Sequence, residues 1–280
     1  MQDNLNKKCD LHIHSRFSDS DSTIEDIFIG ARTAGLSCVA ICDHDTTAGY
    51  EQALACSRKY DIEVLPAIEI SAQKNDVEVH ILGYLFDPKS PVLIEALSRM
   101  QETRIERISI MIERLRGLGK KVDKDELFMM LKESIPTRLH LGLYMVRQGI
   151  VNTISEAFRK YLSPGRPAYV ARFKYTVQDA IKIIKGSGGV SFIAHPYMLA
   201  DQSWIEEFAH AGVDGLEVVY PRLSKDRIAL YGRIADSFKL LKSGGSDAHG
   251  SYKDYTQIGL VSIPYSWVEA MKDRVSGMTR

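Results

Sequence analysis

The chain has no apolar run approaching the roughly 20 residues a membrane span needs, and its opening, MQDNLNKKCD, lacks the apolar core of a secretory signal. A cytoplasmic protein with no membrane partner is expected. Excess charge is also missing, since Lys plus Arg number 36 and Asp plus Glu number 36. Without a global field, binding to long duplex DNA is not expected, because it depends on many phosphate contacts. An anionic ligand must be met locally. Cysteine is scarce, with Cys9, Cys38, Cys42 and Cys56 forming no CxxC pair. Cys38 and Cys42 share one face of an apolar strand, so the four are read as free thiols in a core rather than disulfides or structural zinc ligands. There is no repeat, low-complexity tract or long linker, and no obligate protein partner is evident.

What is present is an alternation of short apolar or β-branched runs with helical stretches, the rhythm of repeated β-α units. KCDLHIH, SCVAICDHD, IEVLPAIEIS, VEVHILGYLF, GVSFIAHP, DGLEVVY, KLLKSGGSDAHG and IGLVSI carry the strands. Ser22 or Thr23 ahead of Glu25 and Asp26 signals a helix start, and Gly35 a stop. From about residue 90 to 160 the pattern changes, with Ile105, Ile108, Ile112, Leu115 and Leu118 at helical spacing and no convincing strand. The expected organisation is an α/β barrel-like domain over 1–88 and 166–280, with a helical insertion over 89–165.

The chemistry gathers at strand ends. His12 and His14 project from one strand face, placed to grip a single ion. Asp19 follows in the loop, and Asp43-His44-Asp45 stands just past the second strand. Glu69 lies in an apolar context where an unpaired carboxylate would be costly to bury. His80 interrupts the fourth strand, His195 follows VSFIA, and Asp247-Ala248-His249 follows Gly244-Gly245. In a parallel barrel such positions share one rim. Six of the eight histidines occupy it, while His140 does not and His210 reads as a helix-surface residue. Each histidine alone is better explained as a satisfied core or surface imidazole; jointly they point to a metal site. Imidazole and carboxylate without thiolate suit zinc, manganese or iron.

The strings DLHIHSRFSDS, AICDHDTTAGY, PAIEIS, VEVHILGY, FIAHP and GGSDAHG resemble, in order and across almost the whole chain, the PHP (polymerase and histidinol phosphatase) family of metal-dependent phosphoesterases. That resemblance implies a distorted (β/α)7 TIM-like barrel and three divalent metal ions. By motif position, His12, His14, Glu69 and Asp247 would hold one ion. Glu69 would bridge to a second, with His80 and His195, and Asp19, His44 and His249 would hold the third. Many relatives carry histidine where this chain has Asp19. Asp43 and Asp45 are expected to orient neighbouring ligands rather than bind metal.

PTRLHLGLYMVRQGIV, EAFRKYL and GRPAYV further resemble the branch of nucleoside 3′,5′-bisphosphate phosphatases and 5′-to-3′ RNA exonucleases. Pro136 should limit the preceding helix and leave Arg138 and His140 in the next helix's first turn. There the resemblance implies phosphate binding, with His140 a candidate leaving-group acid. Lys160 and Arg166 read as solvated or structural, and Arg104 and Arg107 as surface residues of a charged helix. The implied activity is hydrolysis of a nucleotide or short-oligonucleotide phosphate ester by a metal-bridging hydroxide. Asp247, Glu69, Arg138 and His140 would be the catalytic side chains. The competing readings are a small-metabolite phosphatase such as histidinol phosphatase, a non-catalytic accessory module, and an amidase.

Overall fold

The computed structural model describes residues 6–131, 136–253 and 256–278. Two compact units are present, one built from residues 1–96 and 174–280 and the other from residues 97–173. Sequence reading places the insertion at 89–165. The first boundary differs because the division falls inside one continuous helix, Pro91–Gly117, and composition does not mark a break inside a helix.

In the larger unit β1 (Lys8–Ile13), β2 (Cys38–Ile41), β3 (Glu63–Leu65), β4 (Ala67–Lys74) and β5 (Val77–Tyr84) alternate at first with α1 (Ile24–Thr33) and α2 (Tyr50–Tyr60). The helix α3 (Pro91–Gly117) follows, then α4 (Lys124–Leu131), α5 (Arg138–Arg147) and α6 (Ile154–Ala157). The β-α rhythm resumes with β6 (Tyr175–Thr176), α7 (Val177–Gly186), β7 (Val190–Ile193), α8 (Trp204–His210), β8 (Gly215–Val219), α9 (Lys225–Ser237), β9 (Leu241–Gly244), β10 (Ile263–Pro264) and α10 (Ser266–Met278). Local chemistry explains the starts. Thr23 caps α1 in a reciprocal box with Asp26, and Thr176 does the same for α7 with Asp179.

The strands fall into two sheets, β10-β1-β2-β3 and β6-β4-β5-β7-β8-β9. Single-residue parallel bridges, Ile13 to Ala248 and His44 to Glu69, join residues of one sheet to the neighbourhood of the other. Three expectations need correction. The run IEVLPAIEIS is not one strand: Pro66, which has no N–H for a ladder, divides it into β3 and β4 in different sheets. Glu69 therefore sits near the start of β4 instead of at a strand end. The rim is not uniformly parallel either, because β5 runs antiparallel to both β4 and β7, and His80 lies inside it. Finally, IGLVSI contributes only Ile263 to a two-residue strand antiparallel to β1, and α10 carries no motif that the sequence reading used.

Packing fixes the two strands that matter most. Cys9, Leu11, Cys38, Ala40, Cys42, Leu82, Tyr84 and Phe192 share one core, and Ile13, Val39 and Ile41 join a second beneath α1 and α2. The β1–β2 register slips between Asp10 and Ile13, and the β8–β9 register slips between Glu217 and Val219. Such irregularities re-aim side chains, and these two lie on either side of the His12–Glu217 contact described below.

In the helical unit Ile108, Met111, Ile112 and Leu115 form a core with Leu127, Leu141, Tyr144 and Met145. Ile105 and Leu118, which share their helical spacing, are exposed. Arg104 and Arg107 are not surface residues, being only 4% and 8% exposed. Arg107 Nε donates to the Val170 carbonyl, and its guanidinium lies over the Tyr169 ring, so packing and a hydrogen bond make burial tolerable. Burial and the neighbouring guanidiniums of Arg138 and Arg172 bring its pKa down to about 10. Lys160 pairs with Glu156 on the surface.

Candidate metal centre

Five imidazoles form a closed ring of neighbours in the larger unit, and a sixth stacks on one of them. Centroid separations run 5.1 Å from His12 to His14, 4.8 Å to His44, 4.9 Å to His80, 5.2 Å to His195 and 6.0 Å back to His12, with His249 stacked 4.0 Å from His14. Glu69, 1% exposed, touches five of them. One of its oxygens, Oε1, lies 2.9 Å from His80 Nδ1 and 3.0 Å from His195 Nε2. The other, Oε2, lies 3.2 Å from His14, 3.2 Å from His44 and 3.4 Å from His12. Asp247 Oδ1 sits 3.1 Å from His14 Nε2 and 3.5 Å from His12 Nε2. Asp19 reaches His14, His44 and His249 at 3.4–3.5 Å.

All nine residues singled out as ligands thus meet; His195 joins through Glu69, and the donor atoms of the other eight fall into three overlapping groups. These are His14, Asp19, His44 and His249; His12, His14 and Asp247; and His44, Glu69 and His80. The donor set fits divalent cations. Three carboxylates face six imidazoles with little water access, an arrangement costly unless positive charge is supplied. Buried His14 Nδ1, His44 Nδ1 and His80 Nδ1 make no hydrogen bond, although each lies within 3.4 Å of a carboxylate oxygen. Atoms that crowd together without bonding one another suit a shared ion.

Protonation follows from the crowding. Burial would raise Glu69, but His44, His80 and His12 outweigh it and hold its carboxyl well below the usual range. Asp247 and Asp19 are lowered in the same way. Burial would depress His14 and His80, yet Asp247 and Glu69 raise the first to about 9, and Glu69 raises the second to about 10. His44 goes the other way, pushed by burial to about 3. Burial would depress His12 too, but Glu217, Glu69 and Asp247 raise it well above the ordinary range. Ions entering this site at pH 7.5 must displace the protons on His12, His14 and His80. About three protons per chain are expected to leave, measured by calorimetry in buffers of different ionisation enthalpy, and affinity should climb as pH rises toward 9. Heats independent of buffer would mean that these imidazoles are not displaced. The folded-state pKa values of His14 and His80 lie above the ordinary 6.5, so the contribution of their protons to ion-free stability is full below that pH. It is lost as pH rises through 9 to 10.

A second layer holds the ligands. Asp43 accepts from Ser15 N, Ser15 Oγ and Ser18 Oγ, pinning the loop after β1. Asp45 accepts from Ser71 N, and its own N–H donates to the Glu69 carbonyl. Both therefore steady the backbone around ligands. Sequence reading missed Glu217, fully buried in β8, which lies 2.9 Å from His12 Nδ1 and accepts from His195 N at 2.5 Å. Its signal was present in DGLEVVY as a carboxylate in an apolar strand, the same signal that singled out Glu69. Asp10 was also missed. It accepts from the N–H groups of His12, Ser246 and Gly259, and its burial raises its pKa to about 6. Gly244-Gly245 marks a close approach of two segments, since a Cβ on Gly245 would fall 2.4 Å from His12 N. His195 and Asp247 both hold left-handed backbone, at φ 27° and 50°, a strain that the surrounding contacts must maintain.

In the helical unit Thr137 caps α5 by accepting from His140 N, which places Arg138 and His140 in its first turn as expected. The Arg138 guanidinium lies over Phe158 and Tyr169.

The family model for the PHP domain matches residues 10–190, an interval that holds six of the nine clustered side chains. The chain belongs to the PHP domain family. Among its relatives, a 5′-3′ exoribonuclease of Haemophilus influenzae is 31% identical over 96% of this chain and 95% of its own. A 3′,5′-nucleoside bisphosphate phosphatase of Chromobacterium violaceum is 32% identical over 89% of this chain and 90% of its own. A solved structure described as a metal-dependent phosphoesterase, from Bifidobacterium adolescentis, superposes with a TM-score of 0.85. It is 29% identical and covers 96% of both chains.

Proposed function

We propose that this PHP protein is a metal-dependent phosphoesterase that hydrolyses a nucleotide or short-oligonucleotide phosphate ester, such as the 3′-phosphate of a nucleoside 3′,5′-bisphosphate. The observation that carries the reading is Glu69, whose two oxygens face separate sets of imidazoles, as a carboxylate shared between two ions would. Glu69 and Asp247 with His12 and His14 are assigned to one ion, Glu69 with His80 and His195 to the second, and Asp19, His44 and His249 to the third. Manganese, zinc or iron fits these donors. Bound divalent ions would supply a water acidified from 15.7 toward about 7 and positive charge against the phosphoryl oxygens.

The chain's own groups do the positioning. Asp247 offers Oδ1 to the cluster, because its Oδ2 already accepts from Tyr220 at 2.7 Å and Lys253 at 3.0 Å. Its part is to orient the attacking water. Arg138 and His140 are assigned to a phosphate of the substrate, with a guanidinium and helix N–H groups as donors. The two bridges between sheets support reading them as a distorted (β/α)7 TIM-like barrel, with the helical unit as an insertion. Four free, buried cysteines support a cytoplasmic location. No helix among the described residues is long and apolar enough to cross a membrane.

Purified, manganese-loaded protein should release inorganic phosphate from adenosine 3′,5′-bisphosphate, or mononucleotides from short RNA, at a kcat/KM at least about 10-fold above that for phosphate release from histidinol phosphate. Preference for histidinol phosphate would overturn the substrate assignment, and no release from any of them would overturn the activity.

A further inference from the structure

Zero net charge conceals a division between the two units. Residues 97–173 hold 15 Lys and Arg against 8 Asp and Glu, whereas the larger unit holds 21 against 28. The cations are also held differently. In the larger unit Lys59, Lys74, Lys174, Lys185, Lys242 and Lys272 each sit against a carboxylate, which offsets their field. In the helical unit rings and carbonyls take that place. Arg99 lies over Phe173, Lys120 over Tyr161 and Lys124 over Phe128. Arg107 and Arg114 donate to the carbonyls of Val170 and Tyr169. A ring quadrupole or a carbonyl dipole orients a cation without neutralising it, so the positive field survives.

Part of this surplus converges where α5 ends. Two adjoining cavities of about 510 and 240 Å³ share Glu126, Tyr144 and Gln148, forming one groove. Lys120, Lys121 and Arg116, which also meets Glu113, line the first cavity, and Arg147 lines the second. Among the described residues Lys120, Lys121 and Arg147 form no ion pair. The carboxylates of the lining are already engaged. Asp123 accepts from Glu126 N and caps α4, and Glu126 accepts from the Tyr144 hydroxyl at 2.7 Å. Met129, 71% exposed, adds apolar surface.

We infer that this groove, built wholly from the helical unit, binds the backbone of a single-stranded nucleic acid several nucleotides long, with Lys120, Lys121 and Arg147 as its phosphate receptors. The inference rests on the nucleotide reading above and extends it from the ester that is cleaved to the strand that carries it. Several cations along an open groove match a polyanion better than a mononucleotide, because each further phosphate contact releases further counterions. Apolar surface beside them suits unpaired bases, which a duplex keeps stacked inside. The rest of the chain is net acidic, so attraction to a polyanion must come from this unit and not from the molecule as a whole.

The test is binding of a fluorescent oligoadenylate RNA of about 12 nucleotides to the full-length, ion-free chain, read by anisotropy from low to high salt, beside hydrolysis by the manganese-loaded protein. K120E/K121E/R147E is expected to bind about tenfold or more weakly than wild type at low salt. Its slope of log affinity against log salt should be shallower by about 2, the loss of three single-strand phosphate contacts. K120Q/K121Q/R147Q, which removes charge without reversing it, should show the same change of slope at an unaltered thermal midpoint. K8E/K89E/K239E shifts the net charge by as much on exposed residues of the larger unit, and should bind as wild type does. In the loaded protein the two groove variants should raise KM for the RNA while kcat holds, and leave both constants for adenosine 3′,5′-bisphosphate unchanged. Equal affinity of wild type and both groove variants for the RNA would overturn the groove, as would an equal loss in K8E/K89E/K239E. Groove-dependent binding to vesicles containing phosphatidylserine, with none to RNA, would overturn it too. The expected binding pattern in a protein that hydrolyses neither substrate would uphold the groove and defeat the hydrolase reading instead.

Discussion

Glu69→Gln is expected to lower turnover of a phosphate ester by about 10³-fold or more while leaving the fold in place. The reasoning starts from the two oxygens. Oε1 faces His80 and His195, and Oε2 faces His12, His14 and His44, so this one side chain belongs to both halves of the cluster. Glutamine keeps the volume, and with it the packing of a residue that is almost completely buried. It turns one oxygen into an NH2 donor with no lone pair for an ion. It also removes one negative charge from a site in which three carboxylates face six imidazoles, and the affinity for cations must fall. Metal content measured by mass spectrometry should drop along with kcat, while the thermal midpoint of the ion-free protein stays near that of ion-free wild type. Near-normal hydrolysis by a variant shown to carry its full metal would remove Glu69 from the bridging position and the proposed mechanism with it.

Stripping the ions is the second large effect expected. Dialysis against a chelator should take hydrolysis to the uncatalysed background, and manganese should restore it. Stability should move in the same direction, because a ligand that binds only the folded state stabilises it by about 4.1 kcal/mol at a thousand times its Kd. A fall of several degrees in the thermal midpoint is expected at pH 7.5 and above. At pH 6 the fall should be smaller, since the ions must displace the protons of His14 and His80 at both pH values and do so against a higher proton concentration at the lower one. A chelated sample, verified as metal-free, that still hydrolyses substrate at the loaded rate would refute metal dependence. A midpoint indifferent to metal at both pH values would show that the cluster does not bind ions in the folded chain.

The nine clustered residues were legible in advance for different reasons. His12 and His14 followed from strand alternation, which survives the register slip beside them. Glu69 was found through the cost of burying a lone carboxylate, and the same cost, applied to Glu217, would have found the group that holds His12 and His195. His80 was found as an interruption in an apolar strand, but its direction was misjudged. A β-α rhythm implies parallel strands, whereas β4 and β5 join through a tight turn at Asn75 and Asp76, both in left-handed backbone. Arg104 and Arg107 were misread because a charged residue on a helix is usually solvated. For Arg107, Tyr169 and the Val170 carbonyl, more than 60 residues farther along, provide contacts that no local pattern announces.

The amino-acid sequence alone determined which side chains are chemically able to form the centre, the helix cap that starts α1, and the free state of the cysteines. Each of these depends on residue type and short-range spacing. Only the tertiary structure decided that Glu69 divides its oxygens between two sets of imidazoles, that Glu217 and Asp10 hold β1 in place, and that Gly245 lets β9 approach His12. Those are contacts between segments far apart in the chain. Their geometry is fixed by how the sheets pack, not by the order in which residues occur.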